Sequence, residues 1–370
     1  MTALSERIAG IVRREGPITV ERYWNLALFD AEGGYYTTRD PFGRGGDFTT
    51  APEISQMFGE LLGAWALSAW EALGRPAPFV FAEMGPGRGT MMEDMLRTIR
   101  RIEPAFLKAA RVTLVEASDR LARLQIERLS PFDLPIRPCR RLEEVGDGPL
   151  VLLANELFDA VAIRQFVRGA DGWSERCVAL GEDDAFVFTD QPLPPEAGAR
   201  LPDAAPGTIL EVSPAREAIA TALGRRIAGS GGAALLVDYG HGGGFGDTLQ
   251  AVKAHRFVDP LAEPGSADIT SHVDFRALAR RFGEAGLSLS PLATQGELLL
   301  SLGLLERAGR LGAGRPEAEQ DALRAAVQRL AGQGPGEMGA LFKALAVASR
   351  PLPVPPFASA ASSAADPVPR

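Results

Sequence analysis

Three continuous apolar runs constrain this chain more than any other feature: FVFAE (79–83), VTLVEA (112–117) and PLVLLANE (149–156). Each is too short for a buried helix and apolar at nearly every position, so neither face of such a strand can lie against water. Between them stand helical patterns. TMMEDMLRTIRRI (90–102) carries Met91, Met92, Met95, Leu96, Ile99 and Ile102 at helical spacing, and SDRLARLQIERL (118–129) follows the second run. The alternation resumes with PAREAIATALGRRIAG (214–229) and AALLVDYG (233–240). Apolar strands alternating with helices predict an α/β, Rossmann-like fold: a mostly parallel central sheet with helices on both faces.

The flanks are different in kind. Leu4, Ile8, Ile11 and Val12 predict a short amphipathic helix over 4–14, and the aromatic, Gly-rich stretch 30–53 reads as a structured loop. Thr50-Ala-Pro-Glu53 has the form of a capping box, opening a helix to about Leu73. Gly59 and Gly63 leave a shallow groove on that helix, as close packing requires. The alternation breaks at IRQFVRG, WSERCVALG and AFVFTD, between 163 and 190, which predict an inserted antiparallel excursion. The expected organisation is a helical N-terminal portion with a covering loop (1–74), a core (75–300) with an insertion at about 163–207, a helical C-terminal part (301–349) and a disordered Pro/Ala/Ser-rich tail (350–370).

Composition narrows the function. A net charge of −8 argues against a general nucleic-acid binder. The two cysteines, Cys139 and Cys177, offer no framework of bridges, and no segment is long and apolar enough to span a membrane. A cytoplasmic enzyme without membrane insertion is the expectation. His241, His255 and His272 lack the tight ligand spacing of a zinc site, so no metal is expected.

The turn EMGPGRGT that follows the first strand points to a cofactor. Glu83, Gly85, Gly87 and Gly89 make E-x-G-x-G-x-G, whereas the dinucleotide fingerprint would need its third glycine at Thr90. An acid at the strand end would repel a pyrophosphate. It suits the ammonium of S-adenosylmethionine, which has no phosphate. Glu116, closing the second strand, can accept both ribose hydroxyls. Both cofactor classes use such an acid, so it is Glu83 and the glycine spacing that disfavour a nicotinamide-dependent oxidoreductase.

EMGPGRGT, with GDFTTAPEISQMFGELLGAW upstream and VTLVEAS downstream, resembles the MidA-type methyltransferases, relatives of the mitochondrial complex I assembly-factor arginine methyltransferase. LLANELFDAVAIRQF, ILEVSP, ALLVDYGH, GDTLQAVKAH and DITSHVDF follow in the family's order, and the resemblance covers roughly residues 5–300. It implies a class I methyltransferase fold, S-adenosylmethionine as cofactor, and a protein arginine as acceptor, with a complex I subunit as the candidate partner. A non-catalytic assembly protein that retains the fold and a small-molecule methyltransferase are the alternatives.

An arginine acceptor stays protonated and needs carboxylates around it and a base for its proton. Asn155, Glu156 and Asp159 fall at the carboxyl end of the 149–156 strand. Asn155 is expected to line the methyl-donor site, and Glu156 with Asp159 to grip the guanidinium. Asp238 ends another core strand and opens GHGGGFGDT, expected to form a flap; Asp247, Asp268 and the histidines are reserve candidates. Arg39, Arg44 and Asp47 lie in the loop expected to cover the cofactor.

Overall fold

A computed structural model of the chain describes residues 2–38 and 50–357. Two compact units emerge, and they do not follow sequence order. The larger comprises Thr50–Leu157, Ile219–Gly240 and Phe275–Arg370, and the smaller Met1–Thr49, Phe158–Ala218 and His241–Asp274. The N-terminal portion expected over 1–74 is thus divided at residue 50.

The larger unit is built on the predicted sheet. Its strands run, edge to edge, Ser288–Leu289, Phe342–Ala348, Gly232–His241, Leu150–Asn155, Phe79–Met84, Ala110–Val115 and Ile136–Cys139. The pairs from Gly232–His241 to Ile136–Cys139 are parallel, and Phe342–Ala348 joins antiparallel. The order reverses between Phe79–Met84 and Leu150–Asn155, so a crevice opens beyond their carboxyl ends. Open α/β sheets bind ligands at such a point. Phe79, Phe81, Val112, Leu114, Val151 and Leu153 share one buried face with the helices Gln56–Ala72 and Thr90–Ile102. By the period of two, Glu83 and Asn155 continue that face at its carboxyl end.

Three expectations change here. The C-terminal part is not wholly helical: FKALAVA forms the Phe342–Ala348 strand, buried along almost its whole length. Alanine and lysine favour helix locally, but pairing with Gly232–His241 overrides that preference. Residues 351–357 of the expected disordered tail are packed: Leu352 and Val354 are buried, and the Trp65 indole donates to the Pro355 carbonyl at 2.7 Å. The rest of that tail lies outside the described residues. Ile102, expected inward, is 60% exposed at the last position of its helix.

The smaller unit has its own core, in which Leu4, Ile8, Tyr23, Trp24, Ile163, Val178 and Ile269 are buried together. The predicted excursion is present as the antiparallel strands Arg164–Arg168, Trp173–Leu180 and Phe186–Pro192, joined by Ile18–Thr19 and Ile209–Val212. The expected flap is pinned to this sheet. Gly246 donates to the Ile209 carbonyl (2.9 Å), Asp247 accepts from Gln165 and Arg176 (2.8 and 2.9 Å), and the Thr248 N–H reaches Glu211 (2.9 Å).

In the larger unit, the glycines of the Gln56–Ala72 helix make its contact with Thr90–Ile102 possible. A Cβ at Gly59 would lie 2.6 Å from the Asp94 Cβ, and one at Gly63 would lie 2.9 Å from the Met95 Cα. Backbone cannot yield as a side-chain tip can. Gly63→Ala is therefore expected to destabilise the protein by about 1–3 kcal/mol despite alanine's better helix propensity. A urea denaturation midpoint at or above that of the parent would refute this contact.

Candidate active site

The turn after the Phe79–Met84 strand requires glycine. Gly85, Gly87 and Gly89 all have positive φ (67°, 52° and 79°), which a side chain would strain. At Gly85 a Cβ would also lie 2.8 Å from Leu157 Cδ1. Gly89 then caps the Thr90–Ile102 helix, whose first-turn amides are directed to the crevice end of the sheet.

Two oxygens at this crevice are buried without a partner: Glu83 Oε2 and Asn155 Oδ1. Glu83 is 2% exposed and Asn155 7%. Burial, and secondarily the charge of Glu116, raises the Glu83 pKa to about 8, while a backbone N–H of Met92 works the other way. With Glu83 ionised, both atoms are acceptors, on one face of adjacent strands. Buried acceptors without donors cost free energy, and a cationic N–H donor would remove that cost.

Asn155 is oriented by its neighbour. Its Nδ2 donates to Glu156 Oε1 at 3.0 Å, which leaves Oδ1 for the crevice. Glu156 has φ +49°, uncommon for a residue with a side chain, and its N–H donates to the Val237 carbonyl at 3.0 Å. The same Oε1 accepts from the Ala51 N–H at 3.0 Å.

Glu116 ends the neighbouring strand, half-buried, its pKa raised chiefly by burial. The Ser118 N–H donates to its Oε1 at 2.8 Å. Gln125 donates to Glu116 Oε2 (3.1 Å) and to the Gly87 carbonyl (2.8 Å), so one amide fixes both the acid and the glycine turn. Sequence reasoning missed Gln125. Its signal was a polar residue on the apolar stripe Leu121, Gln125, Leu129 of the Asp119–Leu129 helix, where it is fully buried.

Other expected residues take different places. Asp238, 1% exposed, accepts backbone N–H groups from Leu157 (3.1 Å) and Tyr239 (2.8 Å), so its carboxylate holds the turn after Glu156. Asp159 belongs to the smaller unit and Glu156 to the larger. Asp159 Oδ1 accepts from the Ala160 N–H (2.9 Å), and Arg216 donates to the Asp159 carbonyl (3.1 Å) and to Ser271 Oγ (2.7 Å). Asp268 accepts from the Tyr36 hydroxyl at 2.9 Å. His241 and His272 lie ring to ring at 6.5 Å in the same unit. Arg39, Arg44 and Asp47 fall outside the described residues. The expected capping box is absent: Thr50 makes no side-chain cap, and Glu53 instead accepts from the Thr90 hydroxyl at 2.7 Å.

The donor set fits S-adenosylmethionine: unpartnered acceptors for its ammonium, Glu116 for its ribose, and a glycine turn for close backbone approach. The Glu83 burial also has a thermodynamic signature. Its folded pKa of about 8 exceeds the ordinary 4.5, so between these values the native state holds a proton that the unfolded chain has lost. Stability from this group therefore falls as pH rises through that window. Glu83→Gln cannot titrate, and Glu116 is common to both proteins. The stability of the variant relative to the parent is expected to rise by roughly 2–4 kcal/mol from pH 5 to pH 8. A pH-independent difference in urea unfolding would contradict the burial of an ionisable Glu83.

Comparisons agree with this chemistry. Residues 61–292 match the family described as "Putative S-adenosyl-L-methionine-dependent methyltransferase". The protein arginine methyltransferase NDUFAF7, mitochondrial, of Danio rerio is 35% identical over 329 residues, covering 82% of this chain and 78% of its own. Its counterpart from Mus musculus is 36% identical, with 84% and 77% covered. A Burkholderia thailandensis protein solved with bound S-adenosyl-homocysteine superposes with a TM-score of 0.80 at 30% identity, covering 94% of this chain and 92% of its own. With the glycine turn, the acid at the strand end and the sheet order in agreement, the chain belongs to this family of S-adenosyl-L-methionine-dependent methyltransferases.

Proposed function

We propose that the enzyme methylates an arginine side chain of a protein. The observation that carries this reading is the similarity over most of both chains to relatives named protein arginine methyltransferases. The crevice adds chemical support in the acids Glu83, Glu116 and Glu156 that stand at its strand ends. A respiratory complex I subunit is the candidate partner supplied by the family resemblance. The cytoplasm is the proposed compartment, on the strength of two buried cysteines and no bridge.

When bound, the cofactor supplies an electrophilic methyl group on a sulfonium. In this reading, Glu83 and Asn155 take its ammonium, Glu116 its ribose hydroxyls, and the glycine turn lets the backbone approach it. Glu156 is the carboxylate offered to the guanidinium. It concentrates positive charge on the nitrogens it holds and leaves another nitrogen to attack in line. Asp238 contributes by fixing the turn that carries Glu156, through the Leu157 N–H.

The test is transfer of labelled methyl groups from S-adenosylmethionine to proteins of a cell extract, followed by mass spectrometry of the labelled residue. The expected result is methylarginine. Glu156→Gln is expected to lower turnover about 100-fold while binding S-adenosylhomocysteine within a few-fold of the parent. Label confined to small molecules would overturn the protein acceptor, and normal turnover in the variant would remove Glu156 from the chemistry.

A further inference from the structure

The segment Thr50–Ile54 is held at both sides of the crevice. On one side the Ala51 N–H donates to Glu156 Oε1 (3.0 Å), just past the Leu150–Asn155 strand. On the other, Glu53 Oε1 accepts from the Thr90 hydroxyl (2.7 Å), at the first turn of the helix that follows the Phe79–Met84 strand. These are the two strands between which the sheet order reverses. The segment is therefore a strap across the mouth of the crevice, a single helical turn, Ala51–Ile54, in the described chain.

The direction of the second bond is settled by its neighbours. Thr90 Oγ1 lies 3.1 Å from Arg128 Nη1, which also donates to Glu93 Oε2 at 3.0 Å. A guanidinium only donates, so the hydroxyl accepts from Arg128 and its single hydrogen goes to Glu53. Gln125 and Arg128 stand one turn apart on the same helix. The first fixes the glycine turn and the second fixes the hydroxyl to which the strap is tied.

We propose that Glu53 is a positioning residue of the cofactor site, which by accepting the Thr90 hydroxyl holds the Thr50–Ile54 strap across the crevice and slows cofactor departure. This places Glu53 outside the chemistry and assigns it the tightness and residence time of the cofactor. It depends on the cofactor class and is independent of the acceptor's identity.

The test uses the full chain with S-adenosylhomocysteine as the probe, and hydrogen exchange of the Ala51 region without ligand. Glu53→Ala and Thr90→Val are each expected to raise the Kd about tenfold, mainly through faster dissociation, and to speed exchange at the strap in the ligand-free protein. Glu53→Gln retains an acceptor oxygen and Thr90→Ser a hydroxyl, so both are expected to stay within about twofold. A parent protein that binds no S-adenosylhomocysteine would instead refute the cofactor assignment on which the strap depends. Unchanged Kd in Glu53→Ala and Thr90→Val overturns the proposal. Weaker binding with unchanged strap exchange also overturns it, since Glu53 would then act on the ligand directly. If Glu53→Ala fails to fold, Thr90→Val carries the same comparison.

Discussion

The site is organised around a carboxylate taken out of water without a full set of partners. Glu83 ends a strand whose alternate residues, Phe79 and Phe81, lie in the main core, so the sheet's own periodicity buries it. The backbone that follows cannot cover it with side chains, because the turn runs through three left-handed glycines. The resulting environment favours the neutral acid at physiological pH and would favour the anion once a cation arrives. A site of this kind is poised for a cationic ligand and hostile to a phosphate. That distinction separates a methyl-donor site from a dinucleotide site within the same fold class.

Around this group, each polar contact serves to orient another. Glu156 turns the Asn155 amide and receives the strap; Asp238 fixes the turn that carries Glu156; Gln125 joins Glu116 to the glycine turn. Helices and strands supply these groups, apart from the glycine turn itself, the short turn after Asn155 and Glu116, one residue past its strand. Preorganisation of this kind suits a displacement in which positioning carries most of the rate.

Much of this was legible in the sequence. Strand runs such as PLVLLANE and the methionine stripe of residues 90–102 have unambiguous periods, and EMGPGRGT carries its acid and glycines within eight residues. What escaped was set by distant partners. The Ile136–Cys139 strand is short, and its Pro138 marks the open edge of the sheet, so local pattern is weak. The Phe342–Ala348 strand reads as helix until its partner is known. The capping-box spelling at Thr50–Glu53 was sound locally, but the Thr90 hydroxyl takes the Glu53 carboxylate, while Glu156 takes the neighbouring Ala51 N–H. The assembly of the smaller unit from three separated segments has no local signal at all.

The central claim is that a cationic ligand is received by Glu83 in its charged form. If so, binding at pH 7 must expel the proton that burial holds there. Calorimetric titration with S-adenosylhomocysteine in buffers of different ionisation enthalpy measures that proton directly. The account predicts release of close to one proton per ligand bound in the parent, and a release that vanishes in Glu83→Gln, whose residual affinity is weaker. Tight binding with no proton exchanged in the parent, or the same release in the variant, would contradict it.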